Sequence, residues 1–239
     1  MKQLALSPPT AVALLLGLAA CGGDLTVPTS TPTGLRLAVL DGNGQTGTVG
    51  QPLDSPVVVV LRTDAGAPVP DRQVTFVPTG NGAGTFDPGT VTTDADGKAL
   101  THWVLGTVPG PYTGEARVVP QADSAAPVAV EAAANVGAPD TVRINSTEIQ
   151  TGRRGEAVDQ PLVVLVVDRY GNPVPNVEVD WKTEDGNGQL SPATGSVTGS
   201  DGRSGVTWTL GNRIGIQQAT AEVKGVIGSP VTFWATVSF

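Results

Sequence analysis

The 239-residue sequence holds one cysteine, one histidine and one methionine. A disulfide within the chain is therefore excluded, as are multi-Cys zinc sites, iron–sulfur clusters and multi-His metal centres, so no cofactor is expected. Charged side chains make up 15% and aromatics 4%. That is too few charges for a disordered or nucleic-acid-binding chain and too few rings for a sugar-cleaving cleft. Apolar runs are short as well. The stretch Ala11 to Ala20 falls below the roughly 20 residues that span a bilayer. What abounds is Gly (31) and Pro (20), about 21% of positions where about 12% is ordinary. With hydrophobic residues at 39%, the chain is rich in turns and can still bury a core.

The N-terminus is built for export. Lys2 supplies a positive start, a Ser7-Pro8-Pro9-Thr10 break follows, and the apolar run ends in Leu18-Ala19-Ala20-Cys21-Gly22-Gly23, the layout of a signal peptide. This ending resembles the lipobox of bacterial lipoproteins, in which small residues precede a Cys that is lipidated on sulfur before cleavage. An ordinary signal peptide that happens to end beside a Cys is the plainer alternative. The resemblance implies a leader over 1–20, lipidation at Cys21, and a Pro/Thr/Ser-rich tether over 21–33. It further implies an exported protein held to the membrane by its N-terminal lipid, at the outer membrane or cell surface if the host has two membranes. Acyl chains contribute about 0.8 kcal/mol per buried methylene, so several give durable anchoring. Lys2 is the sole charge among the first 20 residues, which leaves 13 basic against 22 acidic residues and a net charge of −9. Nucleic acid is not an expected partner.

Offsetting the sequence by 105 residues pairs Gly50 with Gly155, Asp54 with Asp159, Gly66 with Gly171, and Pro68-Val69-Pro70 with Pro173-Val174-Pro175. It also pairs Asp96-Gly97 with Asp201-Gly202, Trp103 with Trp208, and Leu105-Gly106 with Leu210-Gly211. Two copies of one domain follow, over 34–135 and 136–239, each of about the 100 residues of an Ig-like sandwich. Within each copy the period is that of strands. Pro161 to Val167 is a short apolar, β-branched run bounded by turn residues, as for a strand buried near the centre of a sandwich, and Val57 to Leu61 is its counterpart. Val177, Val179 and Trp181 alternate with Glu178 and Asp180, and Val206, Trp208 and Leu210 share one face of a later strand. Tyr170 to Asn176 carries two prolines and reads as a connection. The expectation is an all-β fold of about sixteen strands in two tandem Ig-like antiparallel β-sandwich domains after the signal peptide and tether.

The run Val166-Val167-Asp168-Arg169-Tyr170-Gly171-Asn172-Pro173-Val174-Pro175-Asn176-Val177-Glu178-Val179, followed by Gly188-Gln189-Leu190, Thr198, Asp201-Gly202 and Trp208-Thr209-Leu210-Gly211, resembles the bacterial Ig-like domain of the invasin/intimin type. The resemblance covers the second copy. The first departs from it where Thr63-Asp64-Ala65-Gly66-Ala67 replaces the Asp-x-x-Gly-Asn lead-in. It implies stacked, non-enzymatic rods on bacterial surfaces that serve as adhesion or spacer modules. No β-barrel translocator, peptidoglycan-binding module or lectin-like tip is recognisable.

Few residues suggest chemistry. His102, between Thr101 and Trp103, reads as an exposed strand position. Asp94-Ala95-Asp96-Gly97 reads as a hairpin turn and not a calcium loop, since the downstream ligands of an EF-hand are missing, and the two Asp-Gly-Asn-Gly segments at 41–44 and 185–188 also read as turns. Trp103, Trp181 and Trp208 alternate with apolar neighbours and read as core. Trp234 lies on the face opposite Phe233, Ala235 and Val237, where the first copy has Glu131. It is the candidate ligand-contact residue, for a glycan or a partner protein, the alternative being packing beneath a neighbouring loop.

Overall fold

The computed structural model describes residues 34–80, 82–120, 125–193 and 195–239. The expected leader 1–20, Cys21 and the 21–33 tether lie outside the described residues. Among the described residues there are eighteen strands and no helix. Nine strands belong to the first repeat: β1 (Leu35–Asp41), β2 (Gln45–Thr48), β3 (Val57–Thr63), β4 (Gln73–Thr79), β5 (Thr85–Asp87), β6 (Thr90–Thr92), β7 (Lys98–Val104), β8 (Gly110–Val119) and β9 (Val128–Asn135). The second repeat supplies the other nine: β10 (Thr141–Ile144), β11 (Ile149–Arg153), β12 (Leu162–Val167), β13 (Glu178–Thr183), β14 (Gln189–Ser191), β15 (Ser196–Val197), β16 (Arg203–Thr209), β17 (Gly215–Glu222) and β18 (Val231–Ser238).

Each repeat forms a two-sheet sandwich. The first pairs a sheet of order β1-β3-β7-β5 with one of order β2-β9-β8-β4-β6, and the second repeats the plan as β10-β12-β16-β14 and β11-β18-β17-β13-β15. The extra strand per repeat, relative to the eight expected, comes from a break in the first one. At Asp41 to Gly44 the positive φ of Gly42 (77°) and Gly44 (71°) lets the chain leave one sheet and enter the other. β2 then runs parallel to β9, with Gln45 opposite Ala132 and Thr48 opposite Asn135, and β11 runs parallel to β18 from Ile149 opposite Trp234 to Arg153 opposite Ser238. The other ladders between named strands are antiparallel.

The cores follow the sequence alternation. Trp103 and Trp208 are fully buried, each donating its indole N–H to a loop carbonyl, Ala83 O at 2.9 Å and Asn187 O at 2.7 Å. Such a bond removes the cost of burying a polar N–H among apolar side chains. Phe86 lies 4.6 Å from Trp103 between ring centroids, and Trp181 lies 5.7 Å from Phe233. The 105-residue offset holds through most of the repeat. It becomes 104 where Phe86 and Leu190 oppose the paired tryptophans, and 103 in the last strands, where Val130, Ala132 and Ala134 match Phe233, Ala235 and Val237.

One core departs from its twin in a coordinated way. Phe76, Val91 and Ala99 of the first repeat become Trp181, Ser196 and Ser204 in the second. The Trp181 N–H donates to both serine hydroxyls, at 3.1 and 3.2 Å, and the hydroxyls bond each other. The larger ring brought a donor inside, and the two serines satisfy it.

Candidate functional site

Two places stand out: the junction between the sandwiches and the outer face around Trp234. At the junction β9 ends at Asn135 and β10 begins at Thr141, leaving a five-residue connection with Pro139 in it. Val136 packs against the core of the second sandwich, and the Asp140 N–H donates to Val167 O at 2.9 Å. The organising group is Asp168, 2% exposed. Its Oδ1 accepts the N–H groups of Tyr170 and Asn172, both at 2.9 Å. Its Oδ2 accepts the Gly137 N–H at 3.0 Å and the Asn172 Nδ2 at 2.9 Å. Burial pushes the carboxyl up, but the donors of Asn172, Gly137 and Tyr170 outweigh it and hold Asp168 below the usual carboxylate range.

This loop reaches the first sandwich. Asn172 Nδ2 also donates to Thr107 O at 2.8 Å, and Tyr170 lies over Gly50. Arg169 lies over the Tyr170 ring, its guanidinium 5.4 Å from the ring centroid. A groove of about 320 Å³ runs along the contact, bordered by Thr48, Gln51, Pro139, Asp140 and Arg169. The first repeat lacks these groups at equivalent positions: Thr63 stands for Asp168, Ala65 for Tyr170 and Ala67 for Asn172. There the loop is closed only locally, by the Ala67 N–H on Thr63 Oγ1 at 3.2 Å and by the Arg36–Asp64 pair at 2.7 Å. The sequence signal for the junction was therefore a departure from the repeat, visible on alignment of 63–67 with 168–172.

Trp234 is 37% exposed on the outer face of the β11-β18-β17-β13-β15 sheet. Ile149 is directly opposite it on β11 and Gln218 on β17, and Ile216 lies two pairs further along, opposite Thr236 and on the same face. Ile149 and Ile216 are both more than 60% exposed. Thr232 and Thr236 flank Trp234 along its own strand. The corresponding first-repeat residues are Gly44, Glu131 and Pro111, so the apolar cluster is confined to the second sandwich.

The remaining candidates are turns or surface. His102 is exposed beside buried Trp103. Asp94 Oδ1 accepts the N–H groups of Asp96 and Lys98 at 2.9 and 2.8 Å, closing a hairpin turn completed by Gly97. Lys182 is held above its ordinary value by hydrogen bonds to Asp180 and Glu222 on the open surface. A cleft of about 530 Å³ near Trp181 and Leu190 has Lys182 as its one charged lining residue. Among the described residues no cluster of three or more His, Cys, Asp or Glu could hold a metal ion.

Residues 155–236 match the family described as bacterial Ig-like domain (group 1). The matched span lies within the second sandwich. The first sandwich is related to the second by the internal repeat and the shared strand order. No curated protein matches the sequence. Among solved structures the chain is similar to the Yersinia pseudotuberculosis adhesin InvE, at 21% identity over 87% of this chain and 59% of that one, with a TM-score of 0.36. It is similar to the Escherichia coli adhesin FdeC at 16% identity over 87% and 65%, TM-score 0.46. The D0–D1 domain of Intimin matches at 20% identity over 82% and 95%, TM-score 0.31. The chain thus spans about 59% of InvE and 65% of FdeC.

Proposed function

We propose that this protein is a non-catalytic, lipid-anchored rod of the bacterial cell envelope, in which two Ig-like sandwiches act as an adhesion or spacer module. The observation that carries the reading is the junction: Asp168 holds the connection, while Asn172 and Tyr170 of the same loop grip the first sandwich. A spacer needs its length to be defined, and these contacts oppose bending where a bare linker would permit it. Small-angle scattering should show one extended particle. Profiles that require independently tumbling sandwiches would remove the rod. Cys21 is the proposed anchor. Cells fed a palmitate analogue should label the wild-type protein and not Cys21→Ser, and equal labelling refutes the lipid.

A second reading is favoured by the Ile149, Trp234 and Ile216 cluster, present on one sandwich and missing from its twin. Under it, the outer face of the second sandwich contacts a glycan ring or a partner protein, since exposed aromatics stack readily on apolar faces. A glycan array or pull-down should lose signal with Trp234→Ala while thermal stability changes by less than about 1 kcal/mol. Retained signal at full strength rejects this face.

A further inference from the structure

The direction of the first and last strands of each sandwich matters for how the protein responds to pulling. β1 starts level with Thr63 of β3 and ends level with Val58. Continuing the same way, Gln45 of β2 lies at Ser55, and the carbonyl of Thr48 accepts the N–H of Gln51. β9 runs parallel to β2 and leaves the sandwich level with Thr48 and Val49. The chain therefore enters each sandwich at one end of the strand axis and leaves at the other. The second sandwich repeats this, with β10 descending along β12 and β11 parallel to β18.

Tension along the chain then pulls β2 backward and β9 forward, and likewise β11 and β18. The two strands of each parallel pair are asked to slide past each other along their length. In that geometry every inter-strand hydrogen bond is strained at once, whereas strands peeled apart from one end lose their bonds one by one. The pairs extend past the named strands. In the second sandwich the Trp234 N–H donates to Glu148 O at 2.9 Å and the Arg154 N–H to Ser238 O at 3.2 Å. In the first, Gly44 N–H donates to Glu131 O at 2.8 Å and Val49 N–H to Asn135 O at 3.0 Å. The Asn43 side chain adds a bond, accepting the Glu131 N–H at 2.7 Å.

A side-chain clamp reinforces each pair. The Gln150 amide donates to Gln160 O at 3.0 Å and accepts the Gln160 N–H at 3.1 Å. Gln45 makes the same two bonds to Ser55, at 2.9 and 3.0 Å. Gln45 and Gln150 are 105 residues apart, as are Ser55 and Gln160, so the clamp is a property of the repeat. It ties the shear-loaded strand to the segment that leads into the central strand of the opposite sheet. An amide pair of this kind costs side-chain entropy; Gln150 is buried, which is unusual for Gln, and Gln45 is half-buried. Its recurrence in both copies sets it apart from incidental surface bonding.

We propose that each sandwich is a mechanical link, with the β2/β9 and β11/β18 pairs and their Gln45 and Gln150 clamps resisting tension between the anchored and distal ends of the chain. The setting for that tension rests on the rod reading above, but the mechanics can be measured without it. The experiment is single-molecule pulling of the whole chain in a Cys21→Ser background, with a handle at each end. Wild type should give two one-step ruptures, each releasing about 30 nm, as expected for about 100 residues at up to 3.6 Å each. The Trp234–Glu148 and Arg154–Ser238 bonds bracket Gln150, and the alternation of a parallel ladder turns its N–H toward β18. Gln150→Pro removes that N–H and the clamp together, and should lower the rupture force of one event by at least half. Gln45→Pro should do the same to the other event. Gln150→Ala, which spares the backbone bond, should give a smaller drop and keeps the test open if the proline variant does not fold.

The decisive control is Leu190→Ala. Leu190 is buried on β14, outside the parallel pairs, and its loss lowers equilibrium stability. Forced unfolding follows the barrier along the pulled path and not the total stability. Leu190→Ala should therefore lower the melting temperature while leaving rupture force within the wild-type spread. The proposal is overturned if Leu190→Ala weakens rupture as much as Gln150→Pro, or if wild type comes apart in many small steps. A flexible junction in scattering with intact rupture forces would reject the rod and keep the link.

Discussion

Tyr170 of the second sandwich lies so close to Gly50 of the first that a methyl group on Gly50 would collide with the phenol hydroxyl. Gly50 also has a positive φ of 68°, and its repeat partner Gly155 has nearly the same conformation, φ 75°, with nothing within 4 Å of where a methyl would sit. The two glycines share a backbone requirement, and only one has a neighbour to accommodate.

That difference can be measured. Gly155→Ala should cost about 1–2 kcal/mol for placing a non-Gly residue in the left-handed region. Gly50→Ala should cost this and the displacement of Tyr170. In a Tyr170→Ala background the excess should vanish, so that Gly50→Ala and Gly155→Ala become equal by denaturant unfolding. An excess that survives removal of the phenol would mean that Tyr170 is not the cause.

Asn172→Ala deletes the bond to Thr107 O and one of four donors on Asp168. The expected loss is about 1 kcal/mol, together with looser coupling of the sandwiches. Calorimetry should show a broader or split transition, and scattering a wider range of inter-sandwich angles. Ala67→Asn, at the matching place in the first repeat, should change neither.

The junction should also weaken in acid. Asp168 is held below its usual range, so its carboxylate contributes stability that is fully present above the unfolded-state value of about 3.9. That contribution is lost as pH falls through the lower folded-state value, when the protonated group stops accepting four donors. Bending at the junction should rise in that acidic window and be unchanged between pH 6 and 8. Asp168→Asn should show the loosened state at neutral pH.

The Trp181 cluster allows a cycle between the two cores. Ser204→Ala alone leaves the indole N–H with Ser196 as its acceptor and should cost about 1 kcal/mol. The triple change Trp181→Phe, Ser196→Val, Ser204→Ala restores the first-repeat set and should cost less than the three single changes added together. Additive losses would mean that the three positions do not act as a unit.

Much of the fold was legible because strand alternation is a local property. The buried central strand at 162–167, the shared face of Val206, Trp208 and Leu210, and the turn at Asp41 to Gly44 can all be read from adjacent residues. What escaped was non-local. The parallel pairing of β2 with β9 joins Gln45 to Ala132, and nothing near Gln45 announces its partner. Gln45 and Ser55 recur as Gln150 and Gln160 in the repeat offset, but nothing in either Gln's own neighbours announces that its amide closes on a backbone ten residues ahead. The 168–172 loop was recognisable as a family signature and as a connection, while its grip on Thr107 and Gly50 depends on the preceding sandwich being seated against it. The exposure of Trp234 follows from alternation, whereas its grouping with Ile149 and Ile216 required three strands to be laid side by side.

The junction draws its groups unequally from the two repeats, and this gives the tandem a fixed order. A chain assembled with the sandwiches exchanged would bring Thr63, Ala65 and Ala67 against Arg154, Gly155 and Asn212, the counterparts of Val49, Gly50 and Thr107. Neither the four-donor carboxylate nor the ring over glycine could then form. The two sandwiches share one design, and the differences between the loops at 63–67 and 168–172 mean that they are not interchangeable at the junction.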